Sequence, residues 1–242
     1  MTFSKATEKT IWLKTRSFLN NYEINEHWIK VIELFENRIM QKFLDPIKLL
    51  IDTGNNEGCG FSIVAIECLL IETFAAFRVG SIYNNRYSEI NDPPYQYKDC
   101  QKLFVNFLLT NSKFKEYFTE SQTNNSKIHY SANEFYTDVR CGLIHEGRTK
   151  NDWTINLKKK EEIKGIFGKD KNKKKIYRTI LYNELKDYLD SYIKELKEEK
   201  SKELRRNFAR KMDNLYNFKP NSQKFEWWKK TASNIALDVQ TC

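Results

Sequence analysis

Cys59-Gly-Phe-Ser-Ile-Val-Ala-Ile-Glu-Cys-Leu-Leu-Ile-Glu-Thr-Phe-Ala-Ala-Phe77 is the most apolar stretch of this 242-residue chain, and its only charged residues are Glu67 and Glu72. A bilayer span does not readily accept two carboxylates, so the stretch reads as a helix buried in protein. It is apolar nearly all round over residues 61–79, which predicts a central position. Upstream, residues 8–19 form a first helix through Ile11, Leu13, Phe18 and Leu19. Asn25 then caps a long helix whose Trp28, Ile29, Ile32, Phe35, Ile39 and Phe43 recur at helical spacing. Pro46 should end or kink it, with residues 47–51 continuing as a further turn. Thr53-Gly-Asn-Asn-Glu-Gly58 is a turn by composition.

Downstream, residues 80–97 form a long loop, 100–109 and 112–118 short helices, and 120–127 a polar turn. A further helix over 131–146 is capped by Ser131 and stopped by Gly147. Residues 153–157 and 176–180 alternate at period two and predict a two-stranded hairpin with a long basic tip. Residues 181–197 are amphipathic through Leu185, Tyr188, Leu189, Tyr192 and Leu196. The continuation to residue 218 is charge-laced, Pro220 closes it, and a last segment holds Trp227 and Trp228. The expected fold is therefore all-α, mainly a helical bundle, with a small β-hairpin and a C-terminal helical extension. The expected organisation is a domain over 1–197, including the basic hairpin at 152–180, and an extension over 198–242.

Composition sets the outer limits. Hydrophobic residues make up 40% and aromatics 14% of the chain, which excludes a disordered polymer. Eight Gly and four Pro exclude a collagen-like or many-turned all-β chain. The five cysteines, Cys59, Cys68, Cys100, Cys141 and Cys242, are odd in number with no C-x-x-C spacing. With the polar start Met1-Thr-Phe-Ser-Lys5, they point to reduced thiols in a cytoplasmic protein with no membrane partner.

The net charge of +9 is unevenly placed. Residues 1–149 carry 17 Lys+Arg against 18 Asp+Glu, and residues 150–242 carry 24 against 14. The excess is densest over 158–178, where Lys158, Lys159, Lys160, Lys173, Lys174 and Lys175 are candidate RNA contacts. Such asymmetry suits a polyanion, with nucleic acid ahead of an anionic membrane surface. Lysine runs are also commonly solvated loops. Tyr177, Tyr182, Trp227 and Trp228 near this region either stack bases or anchor the core.

Phe135-Tyr-Thr-Asp-Val-Arg-Cys-Gly-Leu-Ile-His-Glu-Gly-Arg148 is the stretch that carries chemistry. Arg140 and His145 are separated by four residues at the end of a predicted helix. The pattern resembles the R-x4–6-H motif of the HEPN superfamily, and R-C-G-L-I-H-E-G looks especially like members with Arg-x-Gly-Leu-x-His followed by Gly. The layout over about residues 25–195 is similar too. The resemblance implies a helical domain that dimerises so that two motifs face one cleft. It also implies a metal-independent endoribonuclease, of the kind found as toxins or in antiviral defence, with Arg140 and His145 at the catalytic positions. The residue after the arginine is commonly Asn, Asp or His in active members, and here it is Cys141. Glu67 or Glu72 occupies the place of an acidic residue on the neighbouring helix, with Glu72 and Cys141 as auxiliary candidates. Glu72 needs a partner if buried: Arg140 or His145 by a functional reading, Arg78 or Arg86 by a structural one.

The residue types suit the chemistry. RNA carries its own 2′-hydroxyl nucleophile, so strand cleavage needs an acid, a base and positive charge for the phosphorane, and no cofactor or metal. Histidine titrates near neutral pH, and arginine stays protonated and forks onto phosphate oxygens. A helix C-terminus favours the cationic form of His145 by about 0.3–1 kcal/mol if exposed. Yet residues five apart on an ideal α-helix lie about 140° apart around the axis. Arg140 and His145 must then converge through helix-end distortion, the arginine's reach or a two-fold copy. Cys141 and His145 share a face as metal ligands would, but His27, His129 and the other thiols offer no matching spacing. A Cys/His nucleophilic pair lacks an orienting third group. Two alternatives stay open: a non-catalytic HEPN-like module binding RNA, a nucleotide or a protein, and a subunit docking on an antitoxin or defence-system partner through its C-terminal extension.

Overall fold

The computed structural model describes residues 5–53, 58–90, 92–93, 95–119, 129–157, 165–218 and 224–229. Lys158, Lys159 and Lys160, the 120–127 segment, Pro220 and Cys242 lie outside them. In chain order the elements are α1 (Lys5–Thr15), α2 (Glu26–Ile39), α3 (Asp45–Asp52), α4 (Cys59–Val79), β1 (Ile82–Tyr83), β2 (Gln96–Tyr97), α5 (Cys100–Thr110), β3 (Phe118–Thr119) and β4 (Tyr130–Ser131). They continue with α6 (Ala132–Glu134), β5 (Trp153–Asn156), β6 (Phe167–Asp170), β7 (Lys173–Tyr177), α7 (Arg178–Lys197) and α8 (Lys202–Leu215). The fold is mostly helical with small sheets. π-helical turns join α2 to α3 over Met40–Leu44 and extend α6 over Phe135–Arg140 and Gly142–Glu146.

Contacts divide the chain into two units that are interleaved in sequence. One comprises Met1–Asn37, Phe74–Cys100 and Tyr192–Cys242, the other Arg38–Thr73 and Gln101–Ser191. In the first unit α8 packs with N-terminal elements distant in the chain. α4 and α7 run through both units.

In the first unit, Phe35 packs against Phe77 at 4.5 Å and edge-on to Phe208 at 5.3 Å. Asn25 does cap α2, its Oδ1 accepting the Trp28 N–H at 3.0 Å. The charge-laced helix α8 buries its arginines. Arg205 donates to the carbonyls of Tyr22 (2.7 Å), Leu196 (2.7 Å), Glu198 (2.6 Å) and Glu199 (2.9 Å), and so satisfies the open C-terminal end of α7. Asp213 is fully buried and accepts the indole N–H of Trp12 (2.8 Å), Trp227 (2.8 Å) and Trp228 (2.9 Å), with Arg16 as its ion-pair partner. Trp227 and Trp228 are therefore core anchors, as are buried Tyr177 and Tyr182, and none of the four offers a ring for base stacking.

The second unit surrounds an aromatic cluster in which Phe135 meets Phe118 at 5.2 Å, Trp153 at 5.9 Å and Phe167 at 5.9 Å. α4 is long and apolar enough by composition to cross a membrane, and most of its apolar length is buried within the protein.

Two expectations fail in this unit. Residues 112–117 are turns leading into β3, which begins at Phe118: the Asn111 Oδ1 accepts the Lys113 N–H at 3.0 Å, a local bond that competes with helix. The 152–180 region is not a two-stranded hairpin. The sheet order is β5-β7-β6, with β5 parallel to β7 and only β6 antiparallel to it. The basic stretch supplies β6 itself, and residues 178–180 open α7 instead of extending the strand.

Candidate functional site

The helix carrying the R-x4–6-H motif is set by local chemistry at both ends. Ser131 Oγ accepts the Glu134 N–H at 3.3 Å, and Gly147 adopts φ +64°, a left-handed stop that suits glycine. Between them the backbone widens. The Cys141 N–H donates to the Tyr136 carbonyl and the Gly147 N–H to the Gly142 carbonyl, both spanning five residues. Such π turns are rare and concentrate at functional sites. Arg140 ends the first π segment and His145 lies in the second, with Cys141 between them.

The chain after Gly147 folds back along this helix. The Lys150 N–H donates to the Asp138 carbonyl at 3.0 Å, and Asn151 Nδ2 donates to the buried Asp138 carboxylate at 3.0 Å. Asn151 and Asp152 turn through left-handed conformations of φ +47° and +61°. Gly142 permits the approach, since a Cβ there would lie 2.5 Å from the Arg148 carbonyl oxygen. Reading the sequence does not single out Asp138, Gly142 and Asn151. The Asn-Asp pair and a glycine inside an otherwise helical pattern are the signals that could have found them.

Arg140 and Glu72 meet. The Arg140 Nη2 to Glu72 Oε2 distance is 2.8 Å, and the side chains are 13% and 18% exposed. This resolves the partner of Glu72 in favour of Arg140; Arg78 instead pairs with Glu195 in the other unit. Burial works against the Arg140 cation, but the hydrogen bond and charge of Glu72 outweigh it, and the guanidinium is held above its ordinary pKa. The Tyr136 ring lies 5.3 Å from the guanidinium. Cys68, one turn before Glu72, is fully buried, and burial first, then the charge of Glu67, pushes its thiol up.

The other candidates separate. His145 is exposed, as is its neighbour Ile144, and among the described residues no hydrogen bond joins His145 to Arg140. Cys141 is half-buried and unbridged. Glu67 does not join Arg140. It is fully buried, its two carboxyl oxygens find no hydrogen-bond partner among the described residues, and burial, opposed only by the charge of Arg178, raises its pKa well above the usual range.

Of the described lysines, Lys174 pairs with Glu134 at 2.9 Å and Lys175 with Asp170 at 3.0 Å, whereas Lys173 is exposed. Among the described residues no group of three or more His, Cys, Asp or Glu side chains is placed to hold a metal. Arg140 held by Glu72 can present a fixed cation to an anion, and the exposed His145 is open to solvent. No family model matches the chain, and no curated protein or solved structure gives a significant match.

Proposed function

We propose that the chain is a HEPN-like, metal-independent endoribonuclease that works as a cytoplasmic homodimer. The ion pair of Arg140 with Glu72 carries the reading. A carboxylate 2.8 Å away fixes the guanidinium near the end of the helix that also carries His145. In the reaction the RNA 2′-oxygen attacks the adjacent phosphorus, His145 takes its proton, and Arg140 stabilises the charge on the phosphorane. The P–O5′ bond breaks and an imidazolium, in the dimer the partner's His145, protonates the leaving oxygen. The products are a 2′,3′-cyclic phosphate and a 5′-hydroxyl.

Incubating the purified chain with bulk RNA in EDTA tests this. His145→Ala abolishes cleavage while leaving the fold and RNA affinity nearly intact, and a monomeric variant is inactive. Cleavage that survives His145→Ala, or that EDTA removes, overturns the mechanism.

A second reading has its own support. Arg140 is committed to Glu72 with only 13% of its side chain exposed, and His145 has no orienting partner among the described residues. Those features suit a non-catalytic HEPN-like module that binds RNA, a nucleotide or a protein, and in that case the wild type binds without cutting. A toxin or defence setting, with an antitoxin or defence-system partner, is compatible with both readings.

A further inference from the structure

The β6–β7 hairpin breaks a rule of sheet design. Its register sets Lys169 opposite Lys174, and like charges directly opposite one another destabilise a strand pair. Lys174 is neutralised by Glu134 and Lys175 by Asp170, the only carboxylate on the hairpin. Lys169, Lys171 and Lys173 are all exposed; Lys173 stands opposite Asp170 in the register, but that carboxylate's ion pair is with Lys175, and none of the three lysines has an ion pair of its own among the described residues. Lys171 forms the turn itself at φ +52°, a left-handed position where glycine costs least and a lysine is strained. The tip thus carries an excess of lysines over carboxylates, with Lys171 held at a strained turn position.

The tip is not a free-swinging loop. Lys174 ties β7 to Glu134, in the first turn of the helix that carries Arg140 and His145. The Lys174 N–H donates to the Asp152 carbonyl at 3.0 Å, in the segment that folds back onto Asp138.

We propose that Lys169, Lys171 and Lys173 form a phosphate-backbone anchor for single-stranded RNA, while Lys174 and Lys175 are structural. The inference rests on the proposed ribonuclease reading for its choice of polyanion. The anchor reads no sequence, because each lysine is a point charge for phosphate.

The probe is a fluorescent 2′-O-methyl RNA 20-mer, which has no nucleophile. Binding to it is therefore measurable even if the chain cuts nothing, and the two proposals fail separately. Affinity is followed by anisotropy between 0.05 and 0.3 M salt for the native chain. Two triple variants are compared with it: Lys169, Lys171 and Lys173 to Gln, and Lys186, Lys194 and Lys197 on α7 to Gln. Loss of three phosphate contacts lowers the slope of log K against log salt by about 2 and weakens binding by about 10- to 100-fold at 0.1 M. The α7 triple changes the slope by less than half as much. An unchanged slope in the hairpin triple, an equal loss in the α7 triple, or no binding by the native chain overturns the anchor. So does a hairpin triple that loses binding to anionic phosphatidylserine vesicles while keeping its affinity for RNA.

Discussion

Glu67→Gln removes a titratable proton from the middle of α4 while leaving the side chain's size nearly unchanged. Glu67 is fully buried with neither oxygen hydrogen-bonded among the described residues, and burial raises its pKa well above the usual carboxylate range despite the charge of Arg178. In the unfolded chain the same group ionises near about 4.3. Below that pH both states hold a neutral carboxyl, and Glu and Gln cores are close to equivalent. As pH rises, the unfolded state loses its proton first, so wild-type stability falls by about 1.4 kcal/mol per unit until the folded carboxyl ionises as well. The variant has no such loss. If the folded group stays neutral to pH 7, Glu67→Gln is the more stable protein there by about 4 kcal/mol, with almost no difference near pH 4. Urea unfolding of both proteins at pH 4, 5, 6 and 7 measures this directly. A stability difference independent of pH would refute the reasoning. So would a variant that grows less stable than wild type as pH rises, which would mean that Arg178 holds an ionised Glu67.

Glu72→Gln leaves the Arg140 cation without its carboxylate. Orphaning a fully buried charge costs about 3–5 kcal/mol, and partial exposure of this pair reduces the expected loss to about 2 kcal/mol; a double-mutant cycle with Arg140→Gln should return a coupling above about 1 kcal/mol. Gly142→Ala drives a methyl into the Arg148 carbonyl and should cost about 1–3 kcal/mol, with Thr137→Ala on the exposed face as the near-neutral control in the same thermal melts. Asp213→Ala strips the acceptor from three buried indole N–H groups and from Arg16; at about 1–3 kcal/mol for each orphaned donor it should cost at least about 4 kcal/mol, read as a lost near-ultraviolet tryptophan signal and a lower unfolding midpoint.

What can be read from the sequence is local. The Asn25 and Ser131 caps, the Gly147 stop and the buried course of α4 each depend on a few neighbouring residues, and all four are found where their spacing puts them. The failures involve partners far away in the chain. Two period-two segments identify strands but not their order, so β6 arises from the stretch expected to be a loop tip, and β5 pairs with β7 in parallel. The arginines of α8 have the pattern of a solvated charged face, because nothing nearby in sequence shows that Arg205 meets the carbonyl end of α7.

The candidate site divides in the same way. Sequence alone supplied Arg140 and His145, a helix to carry them and two possible glutamates. Only the tertiary structure chose between those glutamates, bringing Glu72 to Arg140 across 68 positions and leaving Glu67 buried without a hydrogen bond among the described residues. It also chose among the lysines, pairing Lys174 and Lys175 and leaving Lys173 exposed. The physical reason is range. Caps and periodicity are fixed by hydrogen bonds and side-chain spacing within about one helical turn, whereas the state of a charge depends on whichever distant group the packed core brings within about 3 Å of it.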